Sequence, residues 1–228
     1  MKKKKKRQTK KIKIRYNRLF LFIFLICIIV LSVIYILNLK ITNIYIKNNE
    51  YLSDQFIIDL AGISNYPKTL NYSCSKISSN LKENSYIKDV KVRKRFLTQV
   101  YIEVVENYPL FFYKTDNQTV LLDGEKIDSN DTVPIVINYI PNLKYQEFVE
   151  KMGNLDKNIL NRISEIKYDP SDYDDERFLL YMNDGNYVYI NLYKFLNLNK
   201  YIEIVKNFGN KKGIIYLDSG NYFEIKEN

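Results

Sequence analysis

The chain has 228 residues, with 35 Lys or Arg against 26 Asp or Glu, no histidine, no tryptophan and two cysteines. Eleven of the basic residues fall within 1–18, which leaves 24 basic against 26 acidic over 19–228, so the excess positive charge is a tail and not a nucleic-acid-binding domain. Without histidine there is no His-containing triad and no imidazole base or metal ligand, and Cys74 lacks the partner that a sortase-like nucleophile needs.

Leu19 to Leu37 is a 19-residue run without a charge. As a helix it spans roughly 30 Å, the thickness of the bilayer hydrocarbon. It exceeds the apolar region of a signal peptide, and no A-x-A cleavage site follows. Residues 19–39 are therefore expected to form an uncleaved transmembrane helix. Basic residues stay on the cytoplasmic side, so 1–18 reads as a basic cytoplasmic tail in contact with anionic lipid, and 40–228 as the outer part. Cys27 in the apolar run and Cys74 in the polar part are too differently placed to pair.

Outside the membrane, Ile41–Ile46 alternates as a strand does. Ser53 is a cap for a helix from Asp54 to about Ala61, stopped by Gly62. Ser73 caps a second helix, 74–84, in which Ile77 and Leu81 stand one turn apart. Strands 87–95 and 100–106 follow, joined by a turn at Leu97–Gln99. The order β-α-α-β-β predicts a layer of two helices on a three-stranded sheet.

That order, directly after an anchor, resembles a POTRA domain. The segment "VRKRFLTQVYIEVVENYP" resembles the hallmark of the FtsQ/DivIB family of bacterial cell-division proteins, approximately V-R-x-x-W-P-x-x-L-x-I-x-V-x-E-x-x-P. Val92, Arg93, Ile102, Val104, Glu106 and Pro109 match; Val100 replaces Leu, and Phe96-Leu97 replaces Trp-Pro.

Pro109 ends the first ladder. "LFFY" and "TVLLD" read as strands, and Val133–Tyr139 as another, with Pro134 near its start. Helices are expected at 144–151, 155–165 and 195–208; in the second, Leu155, Ile159, Ile163 and Ile166 repeat at three and four. "RFLLYMNDGNYVYIN" is a hairpin whose turn uses the positive φ of Gly185, and "GIIYLDSGNYFEI" is a final one. This second part is similar to the β-domain of the same family, including a terminal G-x-x-x-L-D-x-G pattern at Gly213, Leu217, Asp218 and Gly220. The expected fold is α+β: a transmembrane helix, a POTRA domain over 40–109, and a mostly antiparallel α+β β-domain over 110–228.

No glycine-rich phosphate loop, G-x-S-x-G or zinc spacing occurs. The acidic run "DPSDYDDE", 169–176, lacks the spacing of an EF-hand loop and reads as a solvated connection. The tyrosines suit half-buried sheet faces. We therefore expect no catalytic residue, cofactor or metal, and a segment built for docking. Arg93, Lys94 and Arg95 can meet an acidic partner, or simply guard a strand edge. The last strand, Asn221, Tyr222, Phe223, Glu224 and Ile225, offers an edge that an extended partner can join. The resemblance implies a non-catalytic divisome scaffold in the bacterial cell membrane, concentrated at the septum. It further implies partners of the FtsL and DivIC/FtsB type on the terminal strand region. The alternative is a POTRA-bearing anchored protein of another envelope assembly, such as polypeptide translocation, although too few residues remain for a transmembrane barrel. A wall hydrolase using two carboxylates is the third reading.

Overall fold

A computed structural model describes residues 16–209, 211–220 and 222–225. The basic tail before Tyr16, and Asn221 of the last strand, lie outside the described residues. Helix α1 (Tyr16–Asn38) has 23 residues, none of them buried, and is long and apolar enough to cross a membrane. Two of its polar groups bond back along the helix: the Ser32 hydroxyl donates to the Ile28 carbonyl at 2.8 Å, and the Asn38 amide to that of Ile34 at 2.9 Å.

A three-stranded sheet follows, built from β1 (Asn43–Lys47), β2 (Ile87–Arg95) and β3 (Gln99–Glu106) in the order β1-β3-β2. β1 runs parallel to β3, and β2 antiparallel. Helices α2 (Asp54–Leu60) and α3 (Cys74–Lys82) cover one face. Each is capped as its sequence dictates: Ser53 Oγ accepts from the Phe56 N–H at 3.2 Å, and Ser73 Oγ from the Lys76 N–H at 3.1 Å. Gly62, at φ +73°, turns the chain out of α2. Ile57, Ala61, Ile77 and Leu81 of the helices close on Val90, Val100, Ile102 and Val104 of the sheet, all buried. The opposite face carries Tyr45, Arg93, Arg95, Tyr101 and Glu103, as period-two alternation requires.

The remaining nine strands form one sheet. They are β4 (Pro109–Tyr113), β5 (Gln118–Leu121), β6 (Lys126–Ile127), β7 (Ile135–Val136), β8 (Ile163–Tyr168), β9 (Arg177–Met182), β10 (Tyr187–Asn191), β11 (Gly213–Tyr216) and β12 (Tyr222–Ile225). The order is β12-β11-β10-β9-β8-β7-β4-β5-β6. Parallel pairs β4–β7, β7–β8 and β10–β11 are mixed into an otherwise antiparallel ladder. Helices α4 (Asn142–Gly153), α5 (Lys157–Leu160) and α6 (Tyr201–Lys206) pack over it. Phe148 of α4 is the centre of the core, with ring centroids 5.2 Å from Phe111, 4.9 Å from Phe178 and 5.7 Å from Phe195.

Three expected elements differ. The helix expected over 155–165 is one turn, α5, and then strand β8. Its apolar spacing fits both periods, but the side chain of Asn183 donates to the Asn161 carbonyl and its N–H to that of Arg162, fixing a break there. Ile163 and Ile166 then reach the core from a strand set between β7 and β9. The strand expected over 133–139 shrinks to β7, which starts just after Pro134, a residue with no N–H for the ladder. The helix expected over 195–208 opens as a 3-10 stretch, Phe195–Lys200, and becomes α-helical only at Tyr201.

Candidate docking surfaces

The two sheets meet at a polar joint that the sequence reading did not single out. Glu106, at the end of β3, is buried and accepts from the N–H groups of Glu50 at 3.0 Å, Tyr51 at 2.9 Å and Leu52 at 2.8 Å. The matched glutamate of the hallmark segment thus pins the loop after β1. Asn107 is also buried; its amide donates to the Ser85 carbonyl at 2.9 Å, and its oxygen accepts from the Asp123 N–H at 3.0 Å. Asp131 reaches back from the second sheet's side. Its carboxylate accepts from the hydroxyls of Tyr51, Tyr86 and Ser129, each at 2.6 Å. Burial pushes the Asp131 carboxyl up, but these three hydrogen bonds outweigh it and hold the group below its ordinary value. Burial and the same carboxylate push both tyrosines up. Lys157 adds an ion pair to Glu50 at 2.6 Å and lies 4.5 Å over the Tyr108 ring. An Asn or Asp in a loop is too common a residue to mark such a joint in advance.

The three basic residues at the end of β2 have different surroundings. Arg93 and Arg95 lie on the open face: Arg93 pairs with Glu103, and Arg95 lies 6.0 Å from the Tyr101 ring, which stacks on Tyr45 at 4.7 Å. Lys94 points the other way. Its ammonium donates to the Thr69 carbonyl at 2.6 Å, the Thr69 hydroxyl at 3.0 Å and the Tyr72 carbonyl. Burial pushes its pKa down, consistent with a lysine held by neutral oxygens. Lys94 is occupied, so of the expected basic trio only Arg93 and Arg95 present charge to the open face.

At the far end, β12 is the terminal strand of the nine-stranded sheet and pairs on one side only, with β11. Its residues alternate. Phe223 turns inward and stacks on Phe208 at 4.0 Å, so it holds the strand down. Tyr222 and Glu224 face outward; Tyr222 stacks on Tyr216 at 4.4 Å, and Glu224 accepts from the Tyr216 hydroxyl at 3.0 Å. Ile225 is exposed. Beside them runs a tyrosine face: Tyr216 stacks on Tyr189 at 5.4 Å, and Tyr181 meets Tyr187 edge-on at 5.3 Å. A groove of about 590 Å³ follows this face, lined by Leu179, Tyr181, Tyr187, Tyr189, Ile214 and Glu224. Gly213 lets β12 lie so close: a Cβ there would fall 2.0 Å from the Glu224 carbonyl oxygen.

The acidic run does not converge on a point. Asp169 pairs with Arg177 and Lys167, Asp174 with Asn191, and Asp175 with Lys144. Among the described residues there is no group of three His, Cys, Asp or Glu able to hold a metal ion.

Comparison with known proteins agrees with this architecture. The family "POTRA domain, FtsQ-type" matches residues 39–107. Cell division protein DivIB of Bacillus subtilis is 30% identical over 206 residues, covering 86% of this chain and 78% of its own. DivIB of Listeria monocytogenes is 28% identical over 195 residues, covering 81% and 72%. The solved major extracytoplasmic domain of DivIB from Geobacillus stearothermophilus covers 42% of this chain and 87% of its own, at 19% identity and a TM-score of 0.35. By its sequence relatives, the chain belongs to the DivIB family of cell division proteins.

Proposed function

We propose that this chain is a single-pass, non-catalytic scaffold of the division septum. In this reading α1 anchors it with the basic tail in the cytoplasm, and both sheets stand outside the cell. Residues 40–109 serve as the POTRA domain and 110–228 as the β-domain. FtsL-like and DivIC/FtsB-like partners, small proteins with one membrane span each, dock on the β-domain's terminal edge and are stabilised there. The observation that carries this reading is β12: a strand paired on one side only, whose free N–H and C=O groups can take a further strand. Tyr222, Glu224 and Ile225 supply the side chains a partner meets, while Phe223 holds the strand in place. Arg93 and Arg95 form a secondary, charged contact. No cofactor, metal or nucleic acid enters.

Two measurements test the reading. A fluorescent protein fused before Met1 should mark the division site as a band; a uniform peripheral signal throughout the cycle would remove the septal role. Site-specific photocrosslinking from position 222 or 225 in dividing cells should capture the FtsL-like or DivIC-like partner. Crosslinks from the open face of the first sheet alone would move the dock away from β12.

A further inference from the structure

The end of the first sheet nearest α1 has an unusual surface. The chain leaves α1 at Asn38 and is gripped at once. The Leu39 carbonyl accepts from the Thr69 N–H at 2.9 Å, the Ile41 N–H donates to the Pro67 carbonyl at 3.0 Å, and the Thr42 N–H to that of Thr98 at 2.8 Å. Lys68 Nζ donates to Asn38 Oδ1 at 2.8 Å. The loop 66–71 and the β2–β3 turn are therefore tied to the last turn of the helix. Four residues of extended chain reach about 14 Å at most, so these loops have little room to leave it.

Those two loops expose large apolar side chains. Phe96, at the tip of the turn, is 84% exposed, and Tyr66, Leu70 and Leu97 are each about half exposed. Their backbone is costly as well. Among the described residues, five non-glycine residues have positive φ: two are asparagines, for which this is ordinary, and the others are Tyr66 at +48°, Phe96 at +50° and Leu97 at +62°. Bulky residues are held there only where the surroundings enforce it. Here the Thr69 hydroxyl bonds the Leu97 carbonyl, and Lys94 clamps Thr69 and Tyr72. The charge is mostly of one sign. Stretches 38–42, 65–76 and 93–99 contain no acid and carry the exposed cations Lys40, Lys68, Lys76, Arg93 and Arg95 besides the inward-turned Lys94; Arg93 is paired with Glu103 on the neighbouring strand. Apolar and aromatic tips ringed by exposed cations match the headgroup boundary of an anionic bilayer, where rings lie among the headgroups and lysine or arginine meets phosphate.

We propose that Phe96 and Leu97, with Tyr66 and Leu70, form a second membrane contact, seated in the headgroup region of the leaflet on the folded side. This contact would fix the first sheet upright on the bilayer instead of leaving it to swing about residues 39–42. The proposal rests on α1 spanning the membrane and is independent of the docking partners.

The chain has no tryptophan, so Phe96→Trp creates a single fluorophore at the tip. The full chain is reconstituted in vesicles of phosphatidylcholine and phosphatidylglycerol, some lipids carrying a nitroxide near the headgroup end of the acyl chain. Phe24→Trp, in the first half of α1, and Tyr173→Trp, on an exposed loop of the second part, serve as references. Emission from Phe96→Trp should be blue-shifted, quenched by the nitroxide lipid and shielded from aqueous iodide, as for Phe24→Trp. Tyr173→Trp should behave oppositely. If Phe96→Trp is quenched by iodide while Phe24→Trp is quenched by lipid, the anchor stands and the second contact falls. Shielding of Phe96→Trp from both quenchers would mean a protein contact and would also overturn the proposal. Failure of Phe24→Trp to meet lipid would remove the anchor itself.

Discussion

The edges of the two sheets contrast. β2 borders the first sheet with five charged residues from Lys88 to Arg95 besides the inward-turned Lys94: Lys88, Asp89, Lys91, Arg93 and Arg95. β12 borders the second with Tyr222, Phe223, Glu224 and Ile225, a single charge. The other end of the second sheet is blunted differently, since β6 has only two residues. A charged or very short edge discourages added strands, and a longer, mostly apolar edge invites them. Of the four edges, β2 and β6 are protected in this way, whereas β1, in which only Lys47 is charged, and β12 are not.

The largest expected effect is at the support of that open edge. Gly213→Val places atoms where the Glu224 carbonyl and the Phe223 ring already sit. β12 must move off β11, and overpacking of this kind costs about 1–3 kcal/mol. On the docking proposed above, binding to a DivIC-like segment, measured by titration calorimetry, should weaken by roughly five- to a hundred-fold. Unchanged affinity would show that the partner does not use β12.

The buried glutamate beside the joint comes next; its partners all lie in the loop after β1, within the first part. Glu106→Gln puts an amide NH₂ where one carboxylate oxygen accepts backbone N–H groups, so at least one buried donor loses its partner. The expected loss is about 1–3 kcal/mol in denaturant unfolding. Hydrogen exchange at Glu50 to Leu52 should rise more than in the second sheet's core. Equal rises throughout would mean that the joint and the core unfold as one unit.

A smaller effect separates the joint from the rest by pH. The Asp131 carboxyl is held low in the folded chain, so its contribution is complete above its unfolded value of roughly 4 and is lost as pH falls through the lower folded value. Tyr51 and Tyr86 are pushed up, so their contribution is complete below about 10 and is lost as pH rises beyond it. Melting temperature should therefore fall at both extremes. Asp131→Asn should be less stable near neutrality and show a shallower acid decline; an acid limb as steep as the parent's would assign that decline to other carboxylates.

Much of this was legible in the sequence because local and long-range signals agreed. Ser53 and Ser73 cap where they should, the β2–β3 hairpin alternates, and Gly185 turns its hairpin at φ +88°. β8 was misread because Leu155, Ile159, Ile163 and Ile166 satisfy a helical period while the sheet claims the last two. The joint was illegible for another reason. Asp131 lies 80 residues from Tyr51 and 45 from Tyr86, and no local pattern records a contact made only after both sheets fold. The edge at β12 was visible as a hairpin, but the inward turn of Phe223 depends on Phe208, which sits in the turn after α6.

The smallest effect separates neighbouring side chains on the guarded edge. Arg93 and Glu103 form a pair on an open face, where such pairs contribute less than about 1 kcal/mol and weaken with salt. Lys94 lies one residue on, turned through the sheet, with three oxygens on its ammonium. Lys94→Met keeps the stem but strands those acceptors, and the expected cost is about 1 kcal/mol, little changed by salt. Arg93→Ala should cost less, and its cost should vanish in high salt. Comparing the two unfolding curves at low and high ionic strength checks this. If both losses fade together with salt, Lys94 belongs with the surface charges that guard β2, and the clamp on the 66–71 loop is not what holds the turn.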